Sequence, residues 1–260
     1  LGLGKVMAQF ISDGLSLAYD AFGPRDAKKS IVLVHGFSAN RYENWKRMGW
    51  YDAIAAKGLC GLALDTRGHG ESAKPHDPAQ YDREAMARDI FALLDHVGVE
   101  RAHLLGFSMG SHIALTAALT DAGRIDHFVV AGVGARIFDP PREEGAMAEA
   151  MEAASPDSIA DPMLRSFRHF ADEQKEDRLA LAACSRGARL PLTPDSLAAI
   201  RRPTLVVAGA RDQLAGPPQG LADAIPGAKA VTLPGCDHFS CIGHPLFKAS
   251  VFDFFDGWLE

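Results

Sequence analysis

The sequence predicts an α/β fold with a mostly parallel, doubly wound sheet and a small inserted helical cap. Short apolar runs typical of buried strands alternate with helical stretches through most of the chain, and this alternation requires parallel strands with helices on both faces. A glycine-flanked serine, Ser108, stands between one such strand and the next helix. Residues 139–196 break the alternation, because they show helical spacing and contain no β-rich run.

The chain opens with a predicted antiparallel hairpin. Its strands are residues 9–12 and 15–22, around Asp13-Gly14, a dipeptide that favours a tight turn. The parallel part of the sheet follows. Its predicted strands and helices, in chain order, are a strand over residues 31–34, a helix over about 45–57, a strand over 60–64, a helix over about 83–97, a strand over 101–105, a helix over 111–119 and a strand over about 127–133.

The cap is predicted after Gly134. Three short helices are expected in it, over residues 142–154, 162–172 and 174–186. Beyond it come strands over residues 203–209 and 229–233 and a last helix that starts near His244. The predicted division is a core of residues 7–134 and 197–260 and a cap of residues 135–196, with residues 1–6 as a vector remnant before a natural initiator at Met7.

The segment Gly106-Phe107-Ser108-Met109-Gly110 matches G-x-S-x-G, the nucleophile-elbow pattern. It lies between the strand over 101–105 and the helix over 111–119, which is the context that this pattern requires. The flanking glycines are needed because a Cβ at either position would clash in the sharp turn. Ser108 is therefore the candidate nucleophile. The alternative is a glycine-flanked serine in an ordinary turn.

A serine hydroxyl needs a base to take its proton and a third group to orient that base. His238 lies in the loop after the strand over 229–233, where it could reach the serine. Asp212 comes directly after the strand over 203–209, at the carboxyl end where parallel sheets place their active sites. We prefer Asp212 as the acid. The alternatives are Asp139, at the entrance to the cap, and Asp237, next to the base.

The order Ser108, Asp212, His238 is that of the α/β-hydrolase fold and not that of the chymotrypsin or subtilisin folds. Residues 31–37 end in His-Gly-Phe and are similar to the HG oxyanion loop of that family, and residues 65–72 are similar to its D-x-R-G-x-G-x-S turn. From residue 9 to residue 259 the sequence thus resembles the α/β-hydrolase superfamily, in particular serine hydrolases of the carboxylesterase type with a small helical cap. The resemblance implies an oxyanion hole made by the backbone N–H groups of Phe37 and Met109.

The other histidines have structural interpretations. We expect His35 to brace the HG loop. Solvated or hydrogen-bonded positions are expected for His69, His76, His112 and His127.

Four cysteines in 260 residues do not indicate a disulfide framework. Cys60 and Cys184 are expected to be reduced and buried. Cys236 and Cys241 flank His238, but two cysteines and one histidine lack a fourth ligand and the spacing of a zinc site, so no metal is expected. Whether these two cysteines pair stays open.

The composition limits the classes of partner that this protein is expected to bind. The net charge is -6 with no basic run, which argues against binding to nucleic acid or to an anionic membrane surface. No stretch approaches 18 uninterrupted apolar residues, the length that a membrane span needs. The first residues lack the apolar region of a secretion signal, so a cytoplasmic location is expected.

The leading hypothesis is a cofactor-free serine hydrolase, a carboxylesterase that forms an acyl-enzyme with small or medium acyl esters. The cap residues Met147, Met151, Leu164, Phe167 and Phe170 are expected to roof the site or to pack against the core. The elbow sequence also resembles perhydrolases (non-haem haloperoxidases) and carbon–carbon bond hydrolases. The latter are expected to have an aromatic residue a few positions after the base, but Phe239 is directly adjacent to His238 and no Trp follows before Trp258, which weakens that interpretation. The alternative to an enzyme is a receptor or signalling protein that has the same fold and an intact triad.

Overall fold

The computed structural model describes residues 6–140 and 145–259, whose eight strands form one sheet. The strands are β1 (Val6–Ser12), β2 (Leu15–Phe22), β3 (Ser30–Val34), β4 (Cys60–Leu64), β5 (Ala102–Phe107), β6 (Ile125–Ala131), β7 (Thr204–Gly209) and β8 (Lys229–Leu233). Their order across the sheet is β1-β2-β4-β3-β5-β6-β7-β8. β1 and β2 pair antiparallel, β2 runs antiparallel to β4, and the strands from β4 to β8 are parallel. The predicted fold class is confirmed.

The predicted opening hairpin is confirmed. Ser12 pairs with Leu15, so Asp13 and Gly14 form a two-residue turn, and both have positive φ, at 47° and 77°. Such turns require left-handed backbone at both central positions, which Asp and Gly tolerate. The strand pairing already includes Val6, and residues 1–5 of the expected vector remnant lie outside the described residues.

The helices are α1 (Trp50–Ala56), α2 (Arg83–Val97), α3 (Met109–Thr120), α4 (Ala146–Glu152), α5 (Pro162–Glu173), α6 (Arg178–Arg186), α7 (Pro194–Leu197), α8 (Pro218–Ala222) and α9 (Pro245–Phe255). The prediction of one helix over 45–57 was wrong. A π-helical turn covers Tyr42–Lys46, and α1 starts only after Gly49, whose φ of 74° ends any continuous helix. The break lets both Trp45 and Trp50 point into the core, where their rings meet edge to face at 5.8 Å.

The parallel strands are buried on both faces. All five residues of β3 are buried, and neighbouring residues alternate between two apolar layers: Val32 and Val34 pack in the layer under α2 and α3, and Ile31 and Leu33 pack in the layer under α1 and α9. Two-sided burial produces continuous apolar runs, which is why these strands could be predicted from the sequence.

The helices α4, α5 and α6 lie between β6 and β7, in the segment that the sequence predicts as the cap. The division of the chain into a core and a cap stays a prediction. The predicted helix over 174–186 is shorter than expected, because Lys175 adopts a left-handed φ of 56° and Asp177 caps α6 through the N–H groups of Leu179 and Ala180. Of the predicted helix over 142–154, residues 142–144 lie outside the described residues. The cap has its own apolar cluster, which also packs against Phe37 and Leu214 of the core.

Candidate active site

Ser108 lies at the turn from β5 into α3, with φ 52° and ψ -112°. This backbone conformation is strained for a residue with a side chain and presents the hydroxyl at the end of the sheet. A Cβ at Gly106 would overlap the carbonyl of Gly110, and a Cβ at Gly110 would overlap the carbonyl of Val34. The two glycines of the pattern are therefore required by close backbone approach on both sides of the turn.

A second serine supports the turn. Ser111 is fully buried, and its Oγ lies 2.9 Å from the carbonyl oxygen of Gly106 and 2.8 Å from that of Ala131. The same carbonyl of Ala131 accepts the N–H of Ser108 at 2.7 Å, so β6 holds the backbone of Ser108 in place. Sequence reasoning missed Ser111. The sequence gives no signal for it, because Ser111 is one of several polar residues in this helix.

The structure brings His238 and Asp212 to Ser108. His238 Nε2 lies 3.1 Å from Ser108 Oγ, and His238 Nδ1 lies 2.9 Å from Asp212 Oδ2. Asp212 and His238 are both buried, with 4% and 5% of their surfaces exposed. Because a carboxylate oxygen only accepts, the Nδ1 nitrogen carries the proton and Nε2 is left to accept one from the serine. These are the contacts that a nucleophile, its base and an orienting acid need.

Backbone donors fix the orientation of the Asp212 carboxylate. Asp212 Oδ1 accepts the N–H groups of Leu214 at 3.0 Å and Ala215 at 2.9 Å, which directs Oδ2 to the histidine. The two alternative acids are placed elsewhere. The Asp237 carboxylate accepts hydrogen bonds from the backbone N–H and the hydroxyl of Ser240. Asp139 is exposed after the turn at the start of the cap.

The HG loop leaves one backbone donor free beside the serine. Gly36 donates its N–H to Asn44 Oδ1 at 2.8 Å, whereas the N–H groups of Phe37 and Met109 donate to no other residue in the described part of the chain. His35 braces the loop as expected. Its Nδ1 donates to the carbonyl of Gly36 at 2.8 Å and its Nε2 accepts the N–H of Thr66 at 3.0 Å, while burial lowers its pKa and keeps the ring neutral.

The D-x-R-G-x-G-x-S turn contains a largely buried network of ion pairs, and among the described residues no hydrogen bond or ion pair joins it to Ser108, Asp212 or His238. Asp65 accepts the backbone N–H groups of Arg41 at 2.7 Å and Glu71 at 2.8 Å and also pairs with the Arg41 guanidinium. Arg67, 1% exposed, donates to both carboxylate oxygens of Asp89 at 2.8 and 2.6 Å. The turn therefore stabilises the loops that surround the site.

A cavity of about 390 Å³ opens above Ser108 and His238. Its walls are largely apolar, and five phenylalanines line it: Phe37, Phe107, Phe167, Phe170 and Phe239. Two of the predicted roof residues, Phe167 and Phe170 of α5, therefore face the cavity. Met147, Met151 and Leu164 do not line it, and Met151 is buried inside the cap.

The cysteines are free thiols. Cys236 and Cys241 each direct the sulfur to a backbone carbonyl, that of Pro234 at 3.4 Å and that of His238 at 3.3 Å. Burial raises the pKa of Cys241 well above its usual range, so this thiol stays protonated and unreactive. Residues 6–140 and 145–259 contain no group of three His, Cys, Asp or Glu side chains arranged to hold a metal ion.

Comparison with known proteins gives the family. A model of the alpha/beta hydrolase family matches residues 31–247. The chain belongs to this alpha/beta hydrolase family. Across the described part of this hydrolase, no helix has the length and apolar character to cross a bilayer.

Several relatives share much of the hydrolase chain. The dihydrolipoyllysine-residue acetyltransferase component of the acetoin cleaving system of Pseudomonas putida is 31% identical over 223 residues, 80% of this chain but only 58% of that protein. The 3-oxoadipate enol-lactonase 2 of Acinetobacter baylyi is 28% identical over 213 residues, 76% of each chain. The crystal structure of the enol-lactonase of Burkholderia xenovorans matches with a TM-score of 0.80 at 27% identity, over 96% of this chain and 100% of that one. The family match and the similarity to the two enol-lactonases support hydrolase activity on this fold.

Proposed function

We propose that this hydrolase cleaves carboxylic esters of small or medium size without a cofactor, with Ser108 as nucleophile, His238 as base and Asp212 as the acid that orients the base. One observation carries the proposal: a continuous chain of hydrogen-bond contacts runs from Ser108 Oγ through the His238 ring to a buried Asp212, at 3.1 and 2.9 Å. A serine that served only in a turn would need neither partner.

The proposed reaction follows from the direction of these contacts. His238 Nε2 takes the proton of Ser108 as its oxygen attacks the ester carbonyl. The negative charge that develops on the carbonyl oxygen is held by the free N–H groups of Phe37 and Met109, and the N-terminus of α3 adds its partial positive charge. His238 then gives the proton to the leaving alcohol. Water, deprotonated by His238, releases the acid from Ser108.

The size of the substrate follows from the cavity. A volume of about 390 Å³, closed on one side by α5, suits small and medium acyl groups better than an open groove for long chains. The enol-lactonases among the relatives are named for the cleavage of lactones, which are internal esters, and this supports an ester bond as the target.

The proposal is tested with p-nitrophenyl esters from acetate to palmitate, with and without hydrogen peroxide and with EDTA as a further arm. We expect turnover on the short and medium esters, independent of EDTA. Peroxide-dependent activity alone would favour a perhydrolase, and no repeated turnover would favour a receptor.

The serine is tested by labelling with a fluorophosphonate. Ser108→Ala should abolish labelling and lower ester hydrolysis by at least about a thousandfold, the scale of losing a triad member. Ser158→Ala, at an exposed serine of the cap, is the matched control and should change neither. Labelling that survives in Ser108→Ala would contradict the assignment.

A further inference from the structure

Several phenylalanines of the cavity lie close to His238, and Phe107, at the end of β5, has its ring centroid 5.1 Å from the His238 ring. Phe167 and Phe170, from the cap, both meet Phe239, with ring centroids 5.5 and 6.4 Å apart. Phe239 meets the His238 ring edge to face at 5.6 Å, and Phe167 meets it at 6.4 Å. These three phenylalanines, Phe167, Phe170 and Phe239, are the aromatic cluster. The aromatic cluster therefore adjoins the base.

The aromatic cluster is incompletely covered by protein. Phe239 lines the cavity and has 45% of its surface exposed, although it packs against two other rings. Phe170 is half-buried, and only Phe167 is buried, at 7% exposed. Apolar ring surface that faces a cavity gains free energy when an apolar ligand covers it. The cluster thus has room for one more ring.

The position of the aromatic cluster indicates which part of an ester would contact it. His238 must give its proton to the leaving oxygen, so that oxygen lies within hydrogen-bond distance of Nε2. The carbonyl oxygen must instead lie near the N–H groups of Phe37 and Met109. Phe167 lies between the two sides, 6.4 Å from the His238 ring and 6.2 Å from the Phe37 ring. Phe239 meets the His238 ring at 5.6 Å and has no ring contact with Phe37 in the described part of the chain, so the exposed ring of the cluster is nearest the group attached to the leaving oxygen.

We propose, on the basis of the ester hydrolase function above, that the enzyme selects esters of aromatic alcohols, whose ring completes the aromatic cluster as the leaving group. Offset and edge-to-face ring pairs are stabilised beyond their burial, since the positive edge of one ring meets the negative face of another. A saturated ring of similar size fills the same space but lacks this stabilisation between aromatic rings. The selectivity is therefore specific for aromatic character and not for size.

Two matched substrate pairs test the proposal through kcat/KM. Benzyl acetate and cyclohexylmethyl acetate differ only in the ring on the alcohol, and methyl phenylacetate and methyl cyclohexylacetate differ only in the ring on the acyl group. We expect about a tenfold preference for benzyl acetate, the combined effect of two or three ring pairs, and a ratio near one for the acyl pair.

Variants connect the preference to the cluster. Phe239→Leu should reduce the preference for benzyl acetate to about threefold or less, and its exposed side chain makes loss of the fold unexpected. Phe170→Leu is a second variant with the same expectation. Phe91→Leu, which replaces a phenylalanine at a different surface cleft, should leave the preference unchanged.

The two proposals fail in different ways. If none of these esters is hydrolysed, the ester hydrolase function itself is wrong. If the esters are hydrolysed but the benzyl preference is absent, survives in both cluster variants, or appears on the acyl pair instead, the inference about the leaving group is overturned while the ester hydrolase function stands.

Discussion

The carboxylate of Glu176, between α5 and α6, accepts the backbone N–H of Gly70 at 2.9 Å. It also accepts the side-chain amide of Asn40 at 3.0 Å, and only 8% of the glutamate is exposed. Burial raises the pKa of Glu176, although both donors favour its charged form. Gly70 lies in the turn after β4 and Asn40 in the loop after β3, so one cap carboxylate joins the cap to the two loops beside the active site.

Removing this carboxylate should loosen the cap. Glu176→Ala leaves the Gly70 N–H and the Asn40 amide without their acceptor, and we expect a loss of about 2 kcal/mol in the free energy of unfolding. Urea unfolding measures the change, and limited proteolysis should cut the cap faster. Glu149→Ala, an exposed glutamate on α4, is the control. Equal stability of the two variants would show that the contact with Gly70 does not hold the cap.

The acid of the proposed triad can be tested without disturbing the fold. In Asp212→Asn, the amide oxygen is retained at the position that accepts the N–H groups of Leu214 and Ala215, so the amide nitrogen faces His238. The amide donates to Nδ1 and leaves the ring proton on Nε2, where it blocks proton transfer from Ser108. We expect kcat to fall by about 10⁴ with unchanged circular dichroism.

Two control variants identify the acid. Asp237→Asn and Asp139→Asn should retain near-normal turnover, because neither side chain contacts His238. A nearly active Asp212→Asn together with an inactive Asp139→Asn would show that the acid lies at the start of the cap.

The fold could be predicted because its main elements leave local patterns. Strands buried on two faces appear as apolar runs, and the Ser108 turn needs glycines at fixed positions. The interruption of a predicted helix at Gly49 could not be foreseen, because a single glycine within a helical pattern is usually tolerated.

Contacts between distant residues leave no such pattern. Glu176 lies 106 residues from Gly70, and nothing near either residue in the sequence indicates the pairing. Asn44 and Ser111, which position the backbone on either side of Ser108, are likewise polar residues without a motif. Candidate catalytic residues could be found from chain order, but the residues that position them required the structure.

The approach of α3 to β3 leaves no space for a side chain at Gly110. A Cβ there would overlap the backbone carbonyls of Val34 and His35, neither of which can move without displacing β3. Gly110→Ala should therefore lower the free energy of unfolding by about 4 kcal/mol or more, the range of severe backbone or core disruption. Gly123→Ala, where only the carboxylate of Asp121 is near, is the control for urea unfolding. Similar stability of both variants would contradict the packing argument.

A buried histidine at the amino end of the sheet should make the protein sensitive to acid. His103 is 1% exposed and stacks on Phe255 at 4.2 Å, with His127 Nδ1 3.2 Å from its own Nδ1. Burial, together with smaller effects of His127 and Lys29 and against the opposing effect of Asp126, lowers the pKa of His103 to about 4. In the unfolded chain the pKa is about 6.5.

The sign of the effect follows from these values. Between pH 6.5 and about 4 the unfolded chain binds the proton and the folded protein does not, so stability from His103 is complete above pH 6.5 and is lost as the pH falls. His103→Phe keeps a ring on Phe255 but cannot titrate. From pH 6.5 to 5, wild type should lose about 2 kcal/mol more than this variant in urea unfolding. An equal loss would show that His103 does not titrate in this range.

Two buried arginines differ in their partners. Arg67, 1% exposed, pairs with Asp89 through two hydrogen bonds, whereas Arg83, 4% exposed, forms no ion pair with a carboxylate in the described part of the chain. Among the described residues, the hydrogen bonds of the Arg83 guanidinium go only to sulfur, to Met86 Sδ at 2.8 Å and Cys184 Sγ at 3.9 Å, and its buried Nε finds no partner there. An uncompensated buried charge is unfavourable by several kcal/mol.

Replacing each arginine with methionine should therefore change stability in opposite directions. Arg83→Met keeps an unbranched side chain of similar length among Met86 and Cys184 and removes the uncompensated charge, so we expect the free energy of unfolding to rise by about 1–3 kcal/mol. Arg67→Met leaves Asp89 buried without its partner and should lower the free energy of unfolding by about 3–5 kcal/mol. Urea unfolding of both variants at the same pH and salt concentration measures the contrast. If Arg83→Met is destabilised as strongly as Arg67→Met, an anion must compensate the Arg83 charge in solution, and added phosphate should then stabilise wild type but not the variant.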